Sequence, residues 1–151
     1  PLDIILQKGS ELGVQKFIPI LTQRSVVKEI NINRSNKIIT EASEQSNRIS
    51  IPEITNLNNL KDFLNNFPIE GSLIFCDINS NEEKLKTILS KKNQGPFCVL
   101  IGPEGDFSET ERQSIIEMKQ SISLSLATNI LRAETAAIAA ISIINFHLKS
   151  L

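Results

Sequence analysis

The chain has no tryptophan and no tyrosine, and only one methionine, one histidine and two cysteines in 151 residues. Without the two large amphipathic aromatics, the core falls to Phe, Ile and Leu. An apolar share of 40% is enough to build one ordinary domain. Cys76 and Cys98 form no CxxC and no Cys/His set at metal-ligand spacing. Both lie in apolar runs that read as strands, the usual setting of a buried free thiol in a cytoplasmic protein. The lone His147 sits near the end of an apolar helix and reads as a packing or surface residue. No apolar run is long enough to span a bilayer, and no signal peptide opens the chain. Neither GxGxxG nor a phosphate-binding Gly-Lys-Ser/Thr loop is present. The start at Pro1, without an initiator Met, reads as a domain cut from a longer protein. No membrane partner and no metal are expected.

Charge of one sign is missing as well. A formal net charge of −1 argues against a globally basic nucleic-acid binder. Residues 1–50 hold 7 Lys/Arg against 5 Asp/Glu, the rest of the chain 9 against 12. RNA contact by this chain alone would be local and weighted toward its first third.

What is present is an alternation of helix and strand. Leu2, Ile5, Leu6, Gly9 and Leu12 recur at helical spacing, and Gly13 stops that helix. Phe17–Leu21 reads as a strand, Ser35–Arg48 as a helix, and Leu60, Phe63 and Leu64 mark a short helix. Ser72–Cys76 and Phe97–Ile101 are continuous apolar strands, separated by a helix carrying Leu85, Ile88 and Leu89. A helix from Ser108 to Met118, a strand from Ile122 to Leu126 and a helix from Arg132 to Leu148 complete the pattern. Apolar strands separated by helices predict an α/β fold with a parallel sheet covered on both faces. Ligands of such sheets bind beyond the carboxyl ends of the strands, which singles out the loops after Cys76, Ile101 and Leu126.

The second of these loops reads Gly102-Pro103-Glu104-Gly105-Asp106-Phe107 and leads into Ser108 and Glu111, a capping box that starts a helix. Two glycines and a proline make a tight turn that lets a ligand approach the backbone. Glu104 and Asp106 would repel a phosphate and suit a neutral base, a ribose hydroxyl or a cation. The plain alternative is an ordinary turn whose carboxylates favour the helix dipole. The third loop runs from Ala127 to Thr135. Glu134 suits a first helical turn, whereas Arg132 there opposes the dipole and calls for a carboxylate or an anionic ligand. The last helix is apolar nearly all round, which predicts either a homodimer surface or a central core helix. Glu41, Glu44, Gln45 and Arg48 fall on one side of the Ser35–Arg48 helix; by spacing alone a solvated face is the better account of them.

Five segments in order carry a closer likeness. They are Gln7–Val14, Gln23–Val26, Glu41–Arg48 with Ile51–Ile54, Ile101–Gly105 and Ile130–Ala136. Together, over almost the whole chain, they resemble the RsmE family, the bacterial ribosomal RNA small-subunit methyltransferase E proteins. The resemblance implies a SPOUT-type parallel sheet with a C-terminal deep trefoil knot over residues 1–151, and a homodimer. It implies S-adenosylmethionine as cofactor and methylation of N3 of a uridine in 16S rRNA. It also implies an N-terminal PUA-like RNA-binding domain that these residues do not include.

Carried over residue by residue, the resemblance implies Arg132 and Glu134 as the catalytic pair. Phe75, Cys76, Asp77, Leu100, Ile101, Gly102, Pro103, Glu104, Gly105, Ser125, Leu126, Ala127, Asn129, Ile130 and Leu131 are implied around the cofactor. Arg24, Glu44, Gln45 and Arg48 are implied on the RNA. The chain departs from the family at Ala127, usually Gly; at Thr128-Asn129, often Pro-Arg; at Asp106, usually Gly; and at Ser43, usually Cys. Two other readings stand beside this one: a SPOUT ribose 2′-O RNA methyltransferase, and a non-catalytic RNA-binding module that kept the fold.

Overall fold

The computed structural model describes residues 2–26, 28–76, 95–126 and 131–149. In chain order the elements are α1 (Leu2–Glu11), β1 (Lys16–Phe17), β2 (Ile20–Leu21), α2 (Ile32–Gln45), β3 (Glu53–Ile54), β4 (Asn58–Asn59) and α3 (Leu60–Asn65). They continue with β5 (Ser72–Cys76), β6 (Phe97–Leu100), α4 (Glu109–Ile116), β7 (Ser121–Leu124) and α5 (Ala133–Lys149). The helix expected around Leu85–Leu89 lies outside the described residues.

Three strands form a parallel sheet in the order β6-β5-β7. Phe75 pairs with Leu100 on one side of β5 and Cys76 with Leu124 on the other, so all three carboxyl ends lie along one edge. Side chains alternate across the pleat. Leu73, Phe75 and Leu100 face one way and pack with Leu60, Leu64, Phe67, Phe107 and Ile115 from α3, α4 and their flanks. Ile74, Ile122 and Leu124 face the other way and pack with Ala140 and Ile144 of α5. Both faces are thus covered, as continuous apolar strands require. A third cluster, Leu6, Phe17 and Ile39, joins α1 and α2 to β1.

The strand expected over Phe17–Leu21 is two short pieces. β1 pairs with β3 and β2 with β4, both parallel. Pro19 between them has no N–H to donate, and its carbonyl accepts from the Asn58 N–H at 3.0 Å. β3 and β4 carry no strand-like pattern, and Asn58 and Asn59 pair through the backbone alone. α2 is displaced from the expected Ser35–Arg48. It is capped at its start by the Asn31 side chain and closes at Ser46, with Asn47 in the left-handed region at φ 58°. Arg48 therefore leaves the helix axis, and its N–H returns to Ser43 O at 2.9 Å. α4 starts on the expected capping box, with Ser108 and Glu111 each bonding the other's backbone.

Candidate active site

At the carboxyl edge of the sheet, Leu100 and Leu124 are buried, while Cys76, Ile101, Gly102, Pro103, Ser125 and Leu126 are half-buried. The Phe75 side chain is only 2% exposed and rests against Phe107, ring centroids 5.6 Å apart, so it packs in the core beneath the edge and only its backbone is near the strand end. Asp77, Ala127, Asn129 and Ile130 lie outside the described residues. Leu131 and Glu134 are half-buried and Arg132 is exposed. Arg132 takes the N-cap position of α5, its carbonyl accepting from the Ala136 N–H at 2.9 Å. A guanidinium only donates, so its side chain cannot cap the N–H groups of that first turn.

The turn after β6 is closed by Asp106 N–H donating to Pro103 O at 2.8 Å. Both glycines answer close contacts within the protein. A Cβ on Gly102 would stand 3.0 Å from the Phe107 ring and 3.2 Å from Asp106 Oδ1; one on Gly105 would stand 3.3 Å from Arg24 Cβ. Asp106 occupies the left-handed region at φ 62°, and its Oδ1 accepts the Phe107 N–H at 2.8 Å. That is the conformation a glycine adopts freely, and Asp is among the few other residues that tolerate it.

A second arm lies against this turn. Arg24 Nη1 donates to Gly105 O at 3.1 Å, and the Gln23 N–H donates to Glu111 Oε2 at 3.1 Å. The sequence singled out Glu111 only as a helix cap, and nothing local signals its bond to Gln23.

The four residues expected on RNA share no hydrogen bond or ion pair with one another among the described residues. Arg24 sits at the Gly105 turn. Glu44 and Gln45 are exposed at the end of α2, where Gln45 lines a shallow cleft of about 240 Å³ with Asp3, Ile4, Gln7, Ile38 and Glu41. Arg48 is drawn away from them: its Nη1 donates to Ser10 O at 3.0 Å and Val14 O at 2.7 Å, so no Glu44–Arg48 pair lies along the helix.

Burial pushes the thiols of Cys76 up to about 12 and of Cys98 up to about 11, so neither is a thiolate at neutral pH. Among the described residues there is no group of three His, Cys, Asp or Glu that could hold a metal ion. Nor is any helix of theirs long and apolar enough to cross a membrane. The N–H groups of Gly102, Glu104 and Gly105 have no acceptor among the described residues. Backbone donors over an apolar floor, flanked by carboxylates, suit a neutral heterocycle and a cation better than a polyphosphate.

The model of the RNA methyltransferase domain matches residues 1–145. The chain belongs to this RNA methyltransferase domain family. Among its relatives, the domain is 33% identical over 144 residues to the ribosomal RNA small subunit methyltransferase E of Rickettsia conorii, covering 93% of this chain and 57% of that protein. It is 31% identical to the Bacillus subtilis protein of the same name, covering 97% and 61%. The methyltransferase E of Neisseria gonorrhoeae, solved bound to S-adenosyl methionine, superposes with a TM-score of 0.83 at 29% identity, over 95% of this chain and 60% of that one. The methyltransferase domain thus spans about three fifths of the length of the curated relatives it matches.

Proposed function

We propose that this domain is the catalytic part of an S-adenosylmethionine-dependent methyltransferase acting on N3 of a uridine in 16S rRNA of the small ribosomal subunit. The observation that carries the reading is the carboxyl edge of the β6-β5-β7 sheet, where an acidic, glycine-containing turn presents backbone N–H groups that have no acceptor among the described residues, beside the ends of β5 and β7. The likeness to a protein solved with S-adenosyl methionine supports placing that cofactor here. When bound, it supplies a methyl group on a sulfonium centre that is already an excellent leaving group.

The chain's residues have the remaining tasks. Gly102, Glu104 and Gly105 hold the adenosine through their N–H groups, and the carboxylates of Glu104 and Asp106 keep phosphates out. Uridine N3 carries a proton that must leave before the nitrogen can attack; Glu134 takes it as general base. Arg132 stabilises the charge that develops on the uracil oxygens. Arg24 meets the RNA backbone. On this reading the fold is of the SPOUT type with its C-terminal knot, and the enzyme is a cytoplasmic homodimer. The Ala- and Ile-rich face of α5 supports the dimer, since most of it is only half-buried and Phe146 is 72% exposed.

The test is methyl transfer to small-subunit RNA by the full-length enzyme. Arg132→Ala and Glu134→Gln should each lower kcat by about 10²–10⁴-fold. Wild-type rates in both would sink the assigned roles. Mass spectrometry of the digested RNA separates base from ribose methylation, a ribose product favouring the 2′-O reading. Failure of this chain to bind S-adenosylmethionine at millimolar concentration would favour a non-catalytic RNA-binding module.

A further inference from the structure

The capping box of α4 uses more acceptors than a capping box needs. Glu111 Oε1 accepts the Ser108 N–H at 3.0 Å, and the Glu111 N–H donates to Ser108 Oγ at 3.2 Å, which completes the cap. The second oxygen, Oε2, accepts the Gln23 N–H from 88 residues away. Gln serves a capping box as well as Glu does, but it has a single acceptor oxygen. The cross-chain bond therefore gives a carboxylate at this position a purpose that the helix cap alone does not.

What that oxygen grips is a preformed turn. The Thr22 N–H donates to Ser25 Oγ at 3.0 Å, the Ser25 N–H donates to Thr22 O at 3.3 Å, and the two hydroxyls meet at 2.8 Å. Its neighbour Arg24 makes the other fastening, Nη1 to Gly105 O at 3.1 Å, with its stem close enough to Gly105 that a Cβ there would be crowded. The segment 105–111 is thus held at both ends by consecutive residues of one turn. Among the described residues, the other N–H groups of Arg24 have no acceptor.

We propose that Glu111 is a positioning residue that clasps the Gln23–Arg24 turn to the Gly102–Gly105 wall, so that the arm meeting RNA and the wall holding the cofactor are ordered together. The inference rests on the assignment of the wall to the cofactor made above. Ordering either surface removes freedom from the other, so cofactor and RNA should bind with positive coupling.

The test uses the 151-residue chain with Glu111→Gln, Arg24→Ala, the double variant and Ser108→Ala. Amide exchange at Gln23, followed by NMR without cofactor, should accelerate at least about tenfold in Glu111→Gln, because the one oxygen that remains stays with the nearer Ser108 N–H of the cap and the Gln23 N–H faces the amide nitrogen. S-adenosylmethionine binding, measured by calorimetry, should weaken about fivefold in Glu111→Gln and in Arg24→Ala, at the low end of couplings between sites. The double variant should be no weaker than the worse single, since either break opens the same clasp. Ser108→Ala, which damages the cap but leaves Oε2 in place, should lower Tm yet keep the affinity and the Gln23 protection. Unchanged Gln23 exchange in Glu111→Gln would overturn the clasp. So would wild-type affinity in both single variants, or additive losses in the double. A wild-type chain that binds no cofactor would instead overturn the functional reading, with Gln23 exchange still reporting whether the bond exists.

Discussion

Replacing Arg48 by Ala separates a structural role from an RNA-binding one. Its Nη1 holds Val14 O at 2.7 Å and Ser10 O at 3.0 Å, and its Nη2 reaches Ser50 Oγ at 3.4 Å. Ser10 O keeps a second donor in the Gly13 N–H at 3.2 Å, whereas Val14 O has no other partner among the described residues. Hydrogen bonds from a charged donor contribute about 1.5–3 kcal/mol each, and an acceptor left unpaired away from water adds its own cost. Solvent reaches part of this site, and Ser10 O is only partly stranded, so we expect a total loss of about 2 kcal/mol. For a domain of this size, that corresponds to a fall in Tm of about 4–8 °C. Urea unfolding should show a lower midpoint with an unchanged m value. Arg48→Lys should recover part of the loss, since an ammonium donates to both carbonyls without the fork that reaches Ser50. A loss below about 0.5 kcal/mol, typical of a surface substitution, would refute the reasoning and return Arg48 to the pool of RNA contacts.

Gly102→Ala should destabilise the fold by about 1–3 kcal/mol in thermal unfolding, because the new methyl group meets the Phe107 ring at 3.0 Å over a packed core. Asp106→Ala should cost about 1–2 kcal/mol, losing the bond to the Phe107 N–H while keeping the left-handed backbone; Asp106→Gly should cost less in the same assay. Stability should fall at alkaline pH. Both thiols are raised by burial from an ordinary value near 9, so the unfolded chain loses those protons first. Their contribution is whole below pH 9 and is lost as pH rises toward about 11–12, amounting at pH 10 to about 1 kcal/mol per thiol. Denaturant midpoints from pH 8 to 10.5 should flatten in Cys76→Val relative to wild type.

Local signals carried well where a single segment decides its own conformation. The cap of α4 was legible because Ser108 and Glu111 stand three apart. β5 was legible because five apolar or small residues in a row suit a strand buried on both faces. The same logic failed at α2, where Asn31 and Asn47, not the apolar stripe, set the ends and carried Arg48 off the polar face. It failed again at β4, since Asn58 and Asn59 have no strand preference and pair only because β2 lies alongside.

The sequence by itself determined the α/β class of the fold and the family to which the chain belongs. Those depend on periodicity and on motifs within a few residues. Tertiary structure alone decided which groups share a task. It set Arg24 on Gly105, gave Glu111 a second bond, spent Arg48 on the end of α1 and packed the Phe75 side chain in the core. Each of those assignments is made by a partner 30 or more residues away, and no local pattern encodes a partner at that distance.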